Sequence, residues 1–128
     1  MLANAPLMAF IPVRDLASAR EFYGSTLGLP VTDENPFAVV LDANGTMLRL
    51  TPVPDLQPQP FTIAGWNVPD IEATVDALAS AGVTFIRYDG LEQNAEGIWE
   101  TPGGDFVAWF ADPDGNTLSL TSFGPGPS

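Results

Sequence analysis

The sequence contains no histidine, no cysteine and no lysine, and four arginines are its only basic side chains. These absences remove imidazole bases, thiolate nucleophiles and lysine Schiff bases from any catalytic mechanism. They also remove the ligands that usually hold zinc, copper and non-haem iron. Only an all-oxygen site of aspartate and glutamate remains available, and it would suit calcium, magnesium or manganese.

Positive charge is scarce as well. Sixteen acidic residues oppose four basic ones, which gives a net charge of −12. A surface of this sign repels phosphate backbones and anionic lipids, so we expect no nucleic-acid partner and no membrane partner. No apolar run approaches the roughly 18 residues of a membrane span, and no signal-peptide pattern is visible at the N-terminus. We therefore expect a cytoplasmic protein.

What the chain does contain is enough apolar material for one core. Of its 128 residues, 45% are hydrophobic, and this combination favours a single globular domain over residues 1–128. Strand and helix patterns occur twice along it. In each half an apolar strand leads to an aspartate that caps a helix, namely Asp15 and Asp70, and a glycine ends that helix.

Two pairs of matching segments indicate an internal repeat. VRDL at 13–16 matches VPDI at 68–71, and LDANGTMLRL at 41–50 matches ADPDGNTLSL at 111–120. The sequence therefore predicts an α+β fold of two tandem βαβββ modules. We place the first module at 7–51, a proline-rich linker at 52–60, the second module at 61–123 and a flexible tail at 124–128.

These segments resemble the vicinal oxygen chelate superfamily, which includes glyoxalase I, bleomycin-resistance proteins and extradiol dioxygenases. The resemblance rests on FIPVRDLASAREFYGSTLGLP at 10–30, WNVPDIEATVDALASAGV at 66–83 and the ADPDGNTLSL segment. It implies two modules whose curved mixed sheets form a cleft, commonly completed by a homodimer. It also implies metal ligands, usually His or Glu, on the first and last strand of each module.

The family's metal-ligand positions correspond here to Met8, Arg49, Ile63 and Ser119. These four side chains are not a plausible set of ligands for a divalent cation. We therefore expect no metal, no other cofactor and no metal-dependent glyoxalase or dioxygenase activity.

The predicted cleft lining follows from strand alternation, because every second side chain of a strand faces the same way. Alternation along the fifth strand places Gly65 on the cleft side, and the resemblance implies that Trp109, Phe37 and Val39 face the cleft too. We predict that the ligand-binding residues are Met8, Phe10, Phe37, Met47, Arg49, Ile63, Trp109, Ser119 and Thr121. No catalytic residue can be assigned.

Individual roles stay open at this stage. Arg49 is either an anchor for a ligand carboxylate or phosphate, or a structural partner of one of the many acids. Phe10 and Trp109 form either a stacking platform or part of the core. Trp99 follows the polar segment 89–96 and is a candidate lid residue, an interface residue or a loop anchor.

Three functions fit these features. The first is a metal-independent small-molecule-binding protein that sequesters a drug or metabolite of partly aromatic character. The second is a metal-free isomerase or lyase, for which the alternation supplies no inward carboxylate. The third is a structural or interaction domain whose cleft is filled by its own side chains.

Overall fold

The computed structural model describes residues 1–124, and its chain separates into two compact units, one over Met1–Gln57 and one beginning at Pro58. Each unit contains one mixed sheet and one helical region, so the α+β class predicted from the repeat is confirmed. Residues 125–128, most of the predicted tail, lie outside the described residues. Within the described part, no helix is long and apolar enough to cross a lipid bilayer.

The first unit is a four-stranded sheet covered on one face by its helix. Its strands lie in the order β1-β4-β3-β2, with β1 parallel to β4 and the other pairs antiparallel. The alternating burial of β1 and β4 places Ile11, Val13, Leu48 and Leu50 in the core. The elements are β1 Met8–Val13, α1 Leu16–Arg20, a π-helical segment Glu21–Thr26, β2 Val31–Asn35, β3 Ala38–Ala43 and β4 Thr46–Pro52.

The second unit repeats this plan with one additional short strand. Its order is β5-β9-β8-β6, β5 is parallel to β9, and β7 pairs with β8. Helix α2 packs on β8 and β9 through Ile71 and Val75, above the fully buried Phe110 and Leu118. The elements are β5 Thr62–Asn67, α2 Ile71–Ser80, β6 Phe85–Ile86, β7 Trp99–Glu100, β8 Phe106–Ala111 and β9 Thr117–Ser122.

Both helices begin at the aspartates that the sequence indicates as caps. The Asp15 carboxylate accepts the backbone N–H of Ala17, and the Asp70 carboxylate accepts that of Ala73. Each bond satisfies a donor that has no partner within its own helix, which fixes where the helix starts.

The first helical region is not α-helical throughout. Its last part is a π-helix, in which the Leu27 N–H donates to the Phe22 carbonyl five residues earlier. Each such hydrogen bond spans one residue more than in an α-helix, and the Tyr23 side chain in this segment is completely buried. Apolar periodicity predicts one helix as far as Leu27 and cannot distinguish these two windings.

The proline-rich segment is held against the first unit at its beginning. Pro52 belongs to β4, the Val53 N–H donates to the Val13 carbonyl, and the Arg14 guanidinium donates to the Leu56 carbonyl. The four prolines in this stretch have no N–H to donate, so they cannot act as donors in a strand ladder.

Candidate functional site

The face of the first sheet that its helix leaves uncovered is apolar with one cation. Met8 lies opposite Met47, and Phe10 lies opposite Arg49, on the parallel strands β1 and β4. The Phe10 side chain is 61% exposed, and Met8 and Met47 are 43% and 40% exposed. Alternation therefore places all four of these predicted residues on one surface, which we call the first open face.

Arg49 is half-buried on this face. Within residues 1–124, no acidic side chain forms an ion pair with it, and its guanidinium makes no hydrogen bond. By contrast, Arg20 pairs with Glu34 at 2.6 Å and Arg87 donates to the Gln93 carbonyl. The structural ion pair considered for Arg49 is thus not formed with the described acids.

Two expectations on the third strand need correction. Phe37 lies in the turn before β3 rather than in the strand, with 79% of its side chain exposed. Val39 pairs with Leu50 and is buried on the helix side, whereas Val40 lies opposite Arg49. The pairing of β3 with β4 therefore differs by one residue from the expected pairing. A shift of one residue moves every side chain of a strand to the other face.

The uncovered face of the second sheet, which we call the second open face, combines hydroxyls with an aromatic wall. Ser119 lies opposite Trp109 on β8 and opposite Gly65 on β5, and Thr121 is the next residue of β9 on the same side. Ser119 is only 8% exposed, whereas Trp109 is half-buried and Gly65 is exposed. Apolar surface with a few polar groups is the usual composition of small-molecule sites.

The aromatic wall has three members. The Trp99 and Trp109 rings stack with 6.1 Å between centroids and 29° between planes, and Tyr88 meets Trp109 edge-on at 5.1 Å. Trp99 belongs to β7, where it pairs with Val107, so the structure places it in the sheet and not on a loop as a lid requires. Sequence reasoning missed Tyr88; its position two residues after the apolar Ile86 was the available signal.

A single amide orders the segment that leads to Trp99. The Gln93 side-chain nitrogen donates to the carbonyls of Ile86 and Gly97, and its oxygen accepts the Tyr88 N–H. Asn94 adds two more bonds, accepting the N–H groups of Glu96 and Ile98. The polar segment before Trp99 is therefore tied to β6 and β7.

Ile63 does not follow the simple alternation. The β5 register shifts between Thr62 and Ala64, so two residues of β5 correspond to one of β9. Ile63 is the residue within this irregularity and is 37% exposed. A bulge of this kind redirects side chains locally and cannot be read from apolar periodicity.

A concave region lies on the side of the second sheet that helix α2 covers. Its volume is about 660 Å³, and its lining includes the carboxylates of Asp70, Glu72, Glu92 and Glu100. None of the predicted ligand-binding residues lines it. It is separate from the second open face.

The donor set does not fit a metal centre of the kind the family implies. Within residues 1–124, no three carboxylates, imidazoles or thiolates lie close enough together to hold one metal ion. The positions that correspond to family ligands carry a thioether, a guanidinium, an alkyl group and a lone hydroxyl: Met8, Arg49, Ile63 and Ser119. Divalent cations prefer several carboxylate or carbonyl oxygens, or imidazole and thiolate, and these four side chains do not supply such a set.

The topology defines the class to which the chain belongs. Each unit consists of a strand, a helix and then a set of antiparallel strands. The last strand of each unit pairs with its first strand in parallel. Two such βαβββ units in tandem are the architecture that the sequence resemblance implies. The chain is a member of the Glyoxalase/Bleomycin resistance protein/Dioxygenase superfamily, and the sequence model of that family matches residues 6–120.

Solved structures with this fold include proteins of several kinds. A superfamily member from Sphaerobacter thermophilus is 26% identical, covers 95% of this chain and 99% of its own, and has a TM-score of 0.71. TnmS3, an antibiotic binding protein from a Streptomyces species, is 25% identical, with coverage of 97% and 99% and a TM-score of 0.72. A bleomycin resistance determinant encoded on the transposon Tn5 is 21% identical, with coverage of 95% and 100% and a TM-score of 0.74. No curated protein matches the chain.

Proposed function

We propose that the protein binds a small, partly aromatic molecule without a metal, and that it acts by sequestering a drug or metabolite in the cytoplasm. The observation that carries the proposal is the stacked pair Trp99 and Trp109 beside the hydroxyls of Ser119 and Thr121. Half-buried indoles in a sheet offer a rigid surface for a flat ring at little entropic cost. The likeness to an antibiotic binding protein at 25% identity supports the same reading.

On the first open face, Arg49 is the proposed anchor for an anionic ligand. Its guanidinium has no ionic partner among the described residues, and it can offer a planar pair of donors to a carboxylate, sulfonate or phosphate. The net charge of −12 favours cationic ligands at long range. Ligands of both signs therefore belong in the test.

The test is calorimetric titration with two probes that share a planar anthraquinone, anionic anthraquinone-2-sulfonate and cationic doxorubicin, with thermal shift as a second readout. Binding to the native state must raise the unfolding temperature. The Trp99→Ala variant should bind at least one probe roughly tenfold more weakly, since stacking of a ring on an aromatic side chain is worth about 1–3 kcal/mol.

The matched control is Phe123→Ala, which removes an aromatic ring that is 65% exposed and lines the helix-side concavity instead. It should leave both affinities unchanged. The proposal fails if neither probe binds the wild-type protein, or if the two variants weaken binding equally.

We also propose a homodimer whose contact is made by the apolar side chains of the first open face, with Arg49 left accessible at its edge. Exposed Phe10, Met8 and Met47 form an apolar surface of a kind that monomers seldom leave uncovered. Light scattering across a dilution series should give twice the chain mass for the wild type and a lower mass for Phe10→Asp. A monomeric wild-type protein at all concentrations would contradict this proposal.

A further inference from the structure

We propose that Gly65 and Ser119 form a notch at the polar end of the second open face, which receives the heteroatom-bearing edge of a planar aromatic ligand. This inference rests on the proposed function and narrows its ligand class. The ligand would be a fused aromatic system with a carbonyl, hydroxyl or amide on one edge, lying against Trp109 with that edge towards Ser119.

The backbone itself does not require glycine at position 65. Gly65 lies within β5, and its φ is not among the positive values found at seven other glycines. Glycine weakens a strand interior, because it adds conformational freedom to the unfolded chain and has no side chain to pack. A glycine there with ordinary backbone geometry marks a close approach by another group.

The group nearest to the missing side chain is the Ser119 hydroxyl. A Cβ built on Gly65 would overlap the Ser119 Oγ, and its other near neighbours are the Ser119 carbonyl oxygen at 3.3 Å and Cβ at 3.6 Å. Alanine at both positions would remove this overlap and would suit a strand better than glycine does. The pair found instead supplies one hydroxyl and one bare stretch of backbone.

The surroundings turn this pair into a recognition element. Ser119 lies between Trp109 on one neighbouring strand and Gly65 on the other, so a ring resting on the indole extends over the glycine. Gly65 is exposed, so the bare backbone beside the Ser119 hydroxyl is accessible to the edge of a ligand. A hydroxyl both donates and accepts hydrogen bonds, and it therefore suits carbonyl, phenol or amide edges.

Two probes of nearly identical shape test the notch, namely anthraquinone-2-sulfonate and anthracene-2-sulfonate, which lacks the ring carbonyls. Ser119→Ala should weaken the quinone about three- to tenfold, the range of one neutral hydrogen bond, and leave the anthracene unchanged. Gly65→Ala combined with Ser119→Ala should weaken both probes roughly a further tenfold, because the added methyl group fills the notch.

If Gly65 only makes room for the serine, the double variant will bind both probes as Ser119→Ala does, and the inference is overturned. Circular dichroism and light scattering establish that each variant is folded and has the wild-type mass. A readout without mutation is the amide NMR signal of Gly65, which should shift on adding the quinone to the wild type; an unchanged signal overturns the inference. Failure of the wild type to bind either probe would instead refute the proposed function, and the inference with it.

Discussion

Phe10 and Arg49 lie directly opposite each other on the parallel strands β1 and β4, so a ring and a guanidinium share the first open face. Arg49→Ala should bind anthraquinone-2-sulfonate at least about tenfold more weakly, since a hydrogen bond to a charged group contributes about 1.5–3 kcal/mol. The control is Arg20→Ala, which makes the same change in net charge at the exposed pair with Glu34. Calorimetry that gives equal affinities for the two variants would exclude the anchor role.

The Gln93 side chain should contribute more to the free energy of unfolding than its half-buried position suggests. Gln93→Ala removes three hydrogen bonds to the backbone of Ile86, Gly97 and Tyr88, and it should lower the free energy of unfolding by about 1–3 kcal/mol. Urea unfolding measures the change. Exposed Glu92 next to it provides the control, because Glu92→Ala should stay within about 0.5 kcal/mol of wild type. Equal stabilities would refute the role of the amide.

The two repeated turns use different chemistry, and this gives a paired prediction. The Asp112 carboxylate accepts the N–H groups of Asp114 and Asn116 and the Asn116 side-chain amide, and Asp112 is 5% exposed. Exposed Asp42 accepts only the Gly45 N–H, in a turn with positive φ at Asn44 and Gly45.

Asp112→Ala should therefore destabilise the protein by about 2 kcal/mol or more, because buried donors lose their acceptor. Asp42→Ala should cost about 1 kcal/mol or less, because water replaces the lost bond. The measurement is the denaturant midpoint of each variant, compared at constant m-value. A lower midpoint for the Asp42 variant than for the Asp112 variant would contradict this account.

Acid should act on the first helix through its cap. The Ser18 hydroxyl, followed by the Ala17 N–H, lowers the pKa of Asp15 below its ordinary value. A lowered pKa in the folded state means that the stabilisation is present above the unfolded-state pKa and is lost as the pH falls through the folded value, a window below about pH 4.

Ser18→Ala should raise the Asp15 pKa towards its ordinary value, as measured by carboxyl NMR titration. Ser25→Ala provides the control, because its hydroxyl contacts Glu21 instead of Asp15. An Asp15 pKa that is the same in both variants would show that the serine hydroxyl is not the cause.

Sequence alone predicts the fold because the signals that specify it are local and repeated. Capping aspartates, turn residues and alternating apolar positions each act over a few residues, and they correctly separate Met8 and Phe10 from Ile11 and Val13. The predictions differ from the structure where one extra or missing residue changes the parity of a strand. The start of β3 at Ala38 moves Val39 to the core, and the irregularity at Ile63 interrupts β5.

The aromatic wall depends on a longer-range effect. Nothing local to Trp99 predicts a strand, since β7 has two residues and exists through its pairing with β8. Tyr88 joins the wall because Gln93 folds the intervening segment back on itself. Tertiary pairing of this kind decides structure where intrinsic propensity is weak.

The Gln93 amide also connects the affinity of the second open face to a local opening equilibrium. Local segments can open without unfolding of the whole protein, and closure of the segment that carries the stacked Trp99 depends on the Gln93 side-chain hydrogen bonds. The apparent dissociation constant of any ligand on Trp99 then scales inversely with the fraction of molecules in which the segment is closed. A residue that never touches the ligand would in this way tune its release, and changes in segment 89–97 would alter residence time while leaving the contact surface intact.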